Sequence, residues 1–259
     1  MKSKLCQIIV LLTFPLISLT QTPYSSWELG AYGGGAYYLG ELNQNHFPSF
    51  NFSFGPRLRY NYDQRIAIKG LLTIGEISAD DANSINSFNT DRNFAFTSQL
   101  IEAAIVGEFN FLPYSALDSK SRLATPFLFL GIGFTKHNPK AQLNGILLST
   151  QSLQTEGVNF KKNILSVPFG VGYKIMANRF GFEFTWGIRK TNSDYLDDVS
   201  TNFIDTSNSS SGQTNIGNTT QYENVANVKR GDQYNKDWYV FSGLTIFVNL
   251  TPEEVCRKM

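Results

Sequence analysis

Cysteine is almost missing from this chain: Cys6 and Cys256 are the only two. That excludes the paired-cysteine zinc patterns and the Cys-x-x-Cys redox motif. Histidine also occurs only twice, as His46 and His137, and charged residues make up 17% of the sequence. Basic and acidic residues nearly balance, at 22 and 21, so there is no electrostatic footprint for nucleic acid. After the first twenty residues no apolar run reaches the length of a transmembrane helix.

Residues 1–20 read as a targeting segment. Lys2 and Lys4 form a positive start, Ile8 to Leu19 an apolar stretch, and Ser18 and Thr20 the small residues before a cleavage point at Gln21. The expected organisation is a signal peptide over 1–20, one β-barrel domain over 21–250 and a short tail over 251–259. Cys6 leaves with the signal peptide, so Cys256 is the single thiol of the mature chain.

What the sequence does have is phenylalanine (21), tyrosine (12) and a period of two. Phe180, Phe182, Phe184, Trp186 and Ile188 alternate with Gly181, Glu183, Thr185, Gly187 and Arg189. Successive strand side chains point to opposite faces, so one face is large and apolar, the other small or charged. The same alternation runs through 52–61 and 165–175, and in the last strand through Trp238, Val240, Leu244, Ile246, Val248 and Leu250, with Ser242 as an interruption. Strand one places Trp27, Leu29, Ala31 and Tyr37 on one side, broken by Gly33-Gly34-Gly35. Segments around 66–74 and 101–111 complete the clear set, and Phe127 to Phe134 is apolar on both faces.

Eight strands of about 9–11 residues follow, the span a tilted membrane strand needs. Without apolar helices, a membrane-spanning chain must close into a barrel, because lipid cannot satisfy an open strand edge. The expected fold is all-β: an eight-stranded antiparallel transmembrane barrel of the outer membrane. Short turns near 62–64 and 177–179 alternate with long connections at 40–51, 78–95, 137–163 and 192–236, so the short turns face the periplasm. The connection at 112–126 is long for its side and reads as slack. The Ser/Asn/Gly-rich stretch 206–218 reads as a solvent-exposed loop. Trp27, Tyr60, Tyr62, Trp238 and Tyr239 lie near strand ends and suit an interfacial girdle.

An eight-stranded barrel has room for side chains but not for a channel. The polar faces send Glu28, Arg57, Arg59, Lys69, Glu102, Glu108, Lys174, Glu183 and Arg189 inward, where opposite charges would pair and fill the lumen.

Signals for chemistry are poor. His46 and His137 fall in outer loops with Ser49 and Ser149 as conceivable partners, but no Gly-x-Ser-x-Gly elbow occurs. Asp80, Asp81 and Asp91 cluster in one loop and Asp194, Asp197 and Asp198 in another. Neither group has EF-hand spacing, and both suit turn capping. The triple glycine matches no phosphate-binding fingerprint and suits tight curvature or the close approach of a bulky residue. The expectation is a protein with no catalytic residue, cofactor or metal.

Certain phrases carry a resemblance. They include Trp27-Glu-Leu-Gly, the run Gly33 to Asn43, Arg59-Tyr-Asn, Glu108-Phe-Asn-Phe, Thr125-Pro-Phe, Thr155-Glu-Gly, Val167-Pro-Phe-Gly, Asp194 to Ser200, Arg230-Gly and Lys236-Asp-Trp-Tyr. As an ordered set spanning nearly the mature length, they resemble the PorG-like outer-membrane proteins of the Bacteroidetes type IX secretion system. The resemblance implies a non-catalytic accessory barrel associated with a periplasmic ring of PorK-like lipoprotein and PorN-like protein, and in gliding bacteria a link to motility. It also draws attention to Cys256, an unpaired thiol that the topology puts in the oxidising periplasm, as the site of an intermolecular disulfide with a ring lipoprotein. The alternatives are an outer-membrane enzyme acting on lipid or polysaccharide through its loops, and a plain structural or adhesion barrel.

Overall fold

The computed structural model describes residues 25–40, 42–43, 50–81, 94–115, 123–143, 146–153, 156, 158, 160–177, 179–202, 231 and 236–251. Among them are nine strands: β1 (Ser26–Leu39), β2 (Asn51–Asn61), β3 (Ile66–Asp80), β4 (Ala95–Asn110), β5 (Ala124–Leu143), β6 (Ile146–Ser149), β7 (Asn163–Ala177), β8 (Phe180–Thr191) and β9 (Trp238–Asn249). One helical turn, α1 (Thr150–Leu153), follows β6. Eight strands form a continuous antiparallel ring: β1 to β5 pair in chain order, β5 pairs β7, then β8 and β9 follow, and β9 returns to β1. The short β6 pairs only with the far end of β5, outside the ring.

Side-chain size and polarity decide which face is inside. Phe182 and Phe184 are 54% and 48% exposed, while Glu183 between them is 1% exposed. Strand β4 repeats the pattern, with Ile101, Ile105 and Phe109 outward and Glu102 and Glu108 buried. A closed sheet belted outside by Phe, Leu and Ile is what hydrocarbon solvates, and closure leaves no strand edge facing lipid. The barrel spans the outer membrane, with its long connections at one end and its short turns at the other. At the short-turn end Asp63 Oδ1 accepts the amide protons of Arg65 and Ile66, both at 2.7 Å, which closes the β2–β3 turn. Trp27 and Tyr60 meet there with ring centroids 4.7 Å apart.

Several sequence expectations are corrected. The barrel strands run from 11 to 20 residues and so continue past the bilayer at the loop end. On β5 the outward residues change from Leu128, Leu130, Ile132 and Phe134 to the exposed Lys136 and Lys140. The chain over 137–143 is therefore not loop but the end of β5, and 146–149 pair back along it as β6. Tyr239 does not join an outer girdle: it alternates with Trp238 and points into the barrel, fully buried. Tyr37 and Val240 share the parity of the lipid-facing set but are fully buried. Tyr37 accepts a hydrogen bond from Trp186 Nε1 at 3.1 Å and packs against Phe50. A Cβ at Gly35 would collide with the Phe50 ring, so this glycine of the triplet admits an aromatic on the outer wall.

Candidate functional site: the barrel interior

All nine charged residues named from the polar faces are buried inside the barrel. Six of them form one network toward the short-turn end. Arg59 reaches Glu28 at 2.5 Å, Glu108 at 2.9 Å and also Glu183. Lys69 pairs with Glu183 at 2.8 Å and also with Glu108. Lys174 Nζ donates to Glu108 Oε2 at 3.0 Å. Arg189 pairs separately with Glu102 at 3.3 Å. Arg57 has no carboxylate partner among the described residues; its Nη1 donates to the backbone oxygens of Leu72 (2.8 Å) and Pro56 (3.0 Å), and its guanidinium lies 4.3 Å from the Tyr32 ring centroid. Pairing offsets the desolvation each buried charge would otherwise suffer.

Aromatic residues complete this layer, and sequence reasoning had not placed them. Phe127 and Phe129 point inward from β5, with Lys69 Nζ 5.1 and 5.8 Å from their rings and Lys174 Nζ 5.0 Å from Phe127. The signal lay within and beside the segment that reads as apolar on both faces: Gly131 and Gly133 inside it, and Thr125 and Thr135 flanking it, share the parity of the two phenylalanines and mark it as the inner face. A side chain at Gly172 would strike the Phe127 ring, so that glycine makes room for it.

Below the charges sits Tyr114. At Tyr114 and Ser115 the connection expected to be slack over 112–126 is packed: both are buried, Tyr114 donates to Glu28 Oε1 at 3.0 Å, and its ring lies 4.7 Å from Lys174 Nζ. With Met176 and Phe247 it closes the short-turn end.

The loop half of the interior is an apolar core rather than a continuation of the polar lumen. Tyr32, Tyr38, Ile77, Phe96, Leu100, Tyr239 and Phe241 fill it, and Leu196 and Val199 cap it from the 192–202 segment. Tyr239 donates to Glu102 Oε2 at 2.7 Å, which joins this core to the charge layer. The cap is held by carboxylates. The Tyr38 hydroxyl lies 2.6 Å from both Asp197 Oδ2 and Asp237 Oδ1, Asp237 Oδ2 accepts the Leu196 amide, and Asp197 Oδ1 accepts the Val199 amide. Asp194 accepts the Ser200 hydroxyl at 2.6 Å, and Glu156 accepts the Ser200 and Thr201 amides. Asp81 accepts the Phe94 amide at 3.1 Å. Among the described residues no three acidic, histidine or cysteine side chains converge as a metal site.

His137 lies beyond the lipid belt, buried under the loops, with Nε2 3.1 Å from the Lys161 carbonyl and its ring stacked on Phe160, which stacks in turn on Tyr195. Burial pushes its pKa down to about 4, against a smaller upward effect of the Lys161 carbonyl. This is the environment of a packed neutral imidazole. His46, Ser49, Asp91, the 206–218 stretch and Cys256 lie outside the described residues.

A family match covers residues 4–256 and so nearly the whole chain. The chain belongs to the family described as a domain of unknown function, DUF6089. No curated protein matches it. This DUF6089 barrel is similar to the N-terminal β-barrel domain of Pseudomonas aeruginosa OprF, with 11% identity over 89% of this chain and 100% of that one, and a TM-score of 0.38. It is similar at 11% identity to Neisserial surface protein A, over 86% of this chain and 97% of that one with a TM-score of 0.39. The same identity and shares hold for Ail of Yersinia pestis, solved with the heparin analogue sucrose octasulfate, with a TM-score of 0.38. The eight-stranded ring itself is established by this chain's own strand pairing.

Proposed function

We propose that this protein is a non-conducting, non-catalytic outer-membrane anchor: an accessory barrel of the type IX secretion machinery that holds a periplasmic ring of PorK-like and PorN-like components against the membrane. The observation that carries the reading is the double seal. Tyr114 closes the short-turn end on Glu28, and Leu196 and Val199 close the loop end on Tyr38 and Tyr239. An interior filled in this way supports a scaffold role and opposes a conduit role. The assignment to the secretion machinery is supported by the ordered sequence phrases given above.

The docking contact assigned to the ring is the periplasmic end, with Cys256 forming an intermolecular disulfide to a ring lipoprotein. Affinity purification of the full chain from mildly solubilised outer membrane tests the proposal. Recovery of a periplasmic ring lipoprotein supports it; recovery of the barrel alone, under conditions that keep the ring itself intact, overturns it. Non-reducing electrophoresis tests the thiol separately: a reducible higher band should disappear in Cys256→Ser. Loss of a lipid or polysaccharide modification in His46 or His137 variants would instead favour an enzyme.

A further inference from the structure

The wall between β2 and β3 has a defect in the middle of the lipid belt. Pro56 has no amide proton, and the β2–β3 pairing lapses across Gly55 and Pro56, between Phe54–Ile74 and Arg57–Leu71. The Leu72 carbonyl left facing Pro56 is satisfied instead by the Arg57 side chain at 2.8 Å. Arg57 therefore sits in the wall rather than deep in the charge layer.

Its charge has no direct ion pair among the described residues. The charge layer between the two ends holds five cations, Arg57, Arg59, Lys69, Lys174 and Arg189, and four carboxylates, Glu28, Glu102, Glu108 and Glu183; the other buried carboxylates of the described residues, such as Asp197 and Asp237, belong to the loop cap. Every cation but Arg57 has a carboxylate partner among the described residues. Arg57 is only 6% exposed, and a buried guanidinium without an anion is costly.

Among the described residues, room for an anion shows on the lipid side. Toward the lumen Arg57 borders a void of about 10 Å³ shared with Tyr32, Glu183 and Arg189, enough for a single water at most. Toward the lipid it borders a groove of about 500 Å³, a size typical of small-molecule sites. The floor of the groove is made of small residues, Pro56, Gly70 and Ala103; its walls include Leu58, Leu72 and Ile105. A ligand here must be solvated by hydrocarbon along its length and carry one negative charge.

We infer that this groove binds a long-chain carboxylic acid, its acyl chain lying across Gly70 and Ala103 and its carboxylate on the Arg57 guanidinium. A phospholipid fits less well. Arg57 stands four residues in from the end of β2 at Asn61, roughly 10 Å along a tilted strand, and a permanently ionised head stays at the interface. A single-chain acid carries one charge, which the Arg57 guanidinium neutralises. A bidentate guanidinium–carboxylate pair then supplies the recognition.

The test uses the full-length mature protein in lipid vesicles and palmitic acid bearing a photoactivatable group on its chain. Crosslinks should concentrate on the strand segments around Leu58, Leu72 and Ile105. Unlabelled palmitate should compete at least about tenfold better than methyl palmitate, since a hydrogen bond to a charged group is at stake. Arg57→Gln should erase that preference, and Ala103→Phe, which fills the floor and leaves Arg57 in place, should abolish the labelling. Heat-modifiable gel mobility shows that each variant has folded, and Ala103→Phe carries the test alone if Arg57→Gln does not fold. Equal competition by acid and ester, labelling spread evenly round the belt, or full labelling of Ala103→Phe would each overturn the inference.

Discussion

Glu108 is the hub of the charge layer, and replacing it by glutamine tests whether that layer holds the barrel together. In the wild type it accepts from Arg59, Lys69 and Lys174. In Glu108→Gln, Arg59 retains Glu28 and Glu183, and Lys69 retains Glu183, but Lys174 is left with no carboxylate. Removing one partner of a buried pair costs about 3–5 kcal/mol, and because two of the three cations keep partners the expected loss is near 3 kcal/mol. Lys174→Met should cost only about 1 kcal/mol, since Glu108 keeps two cations and the methionine remains packed. The double variant should recover about 1–2 kcal/mol relative to Glu108→Gln, because the stranded ammonium is gone. Urea unfolding of vesicle-reconstituted protein, followed by the heat-modifiable band, gives these differences. A Glu108→Gln barrel within about 0.5 kcal/mol of wild type, or strict additivity in the double variant, would refute the reasoning.

Three further outcomes follow from the same packing. Tyr114→Phe, which removes only the hydrogen bond to Glu28, should destabilise by about 1 kcal/mol, and Tyr114→Ala by about 3–4 kcal/mol, in the same urea assay. Gly131→Ala should cost about 1–3 kcal/mol, because its Cβ would press on the backbone oxygen of Ile105, which cannot yield. His137 is neutral in the fold, with a pKa near 4 against 6.5 when exposed, so its contribution is complete above pH 6.5 and is lost as pH falls toward 4. Amide exchange over 160–162, corrected for its intrinsic pH dependence, should therefore rise between pH 7 and pH 4.5, and His137→Phe should flatten that rise.

The strand ring was legible because its lipid face is nearly uniform: Phe180, Phe182 and Phe184 against Gly181, Glu183 and Thr185 leave one reading of which side is which. The nine interior charges were legible for the same reason, since parity alone carries them inward. Parity did not show which charges meet. Arg59 reaches Glu183 across the barrel, a contact set by strand stagger rather than by neighbours in sequence. Nor did it reveal the apolar loop half of the interior. Tyr32, Leu100 and Phe241 sit on faces that look mixed in sequence, and they gather only because Leu196 and Val199 fold over them from a connection more than forty residues long. Tyr114 was lost to the view of its connection as slack, although a lone tyrosine beside a proline in a polar turn was the available hint. Parity sends Arg57 to the lumen with the others; its bond to the Leu72 carbonyl opposite Pro56 follows only from the β2–β3 register.

Single-channel recording of the purified full chain in a planar bilayer bears most directly on the sealed barrel. The packing of Tyr114, the charge layer and the Leu196–Val199 cap predicts a baseline without stable steps across the voltage range that opens porins. Reproducible porin-sized steps, seen again after the cap residues are exchanged for polar ones of similar volume, would contradict it.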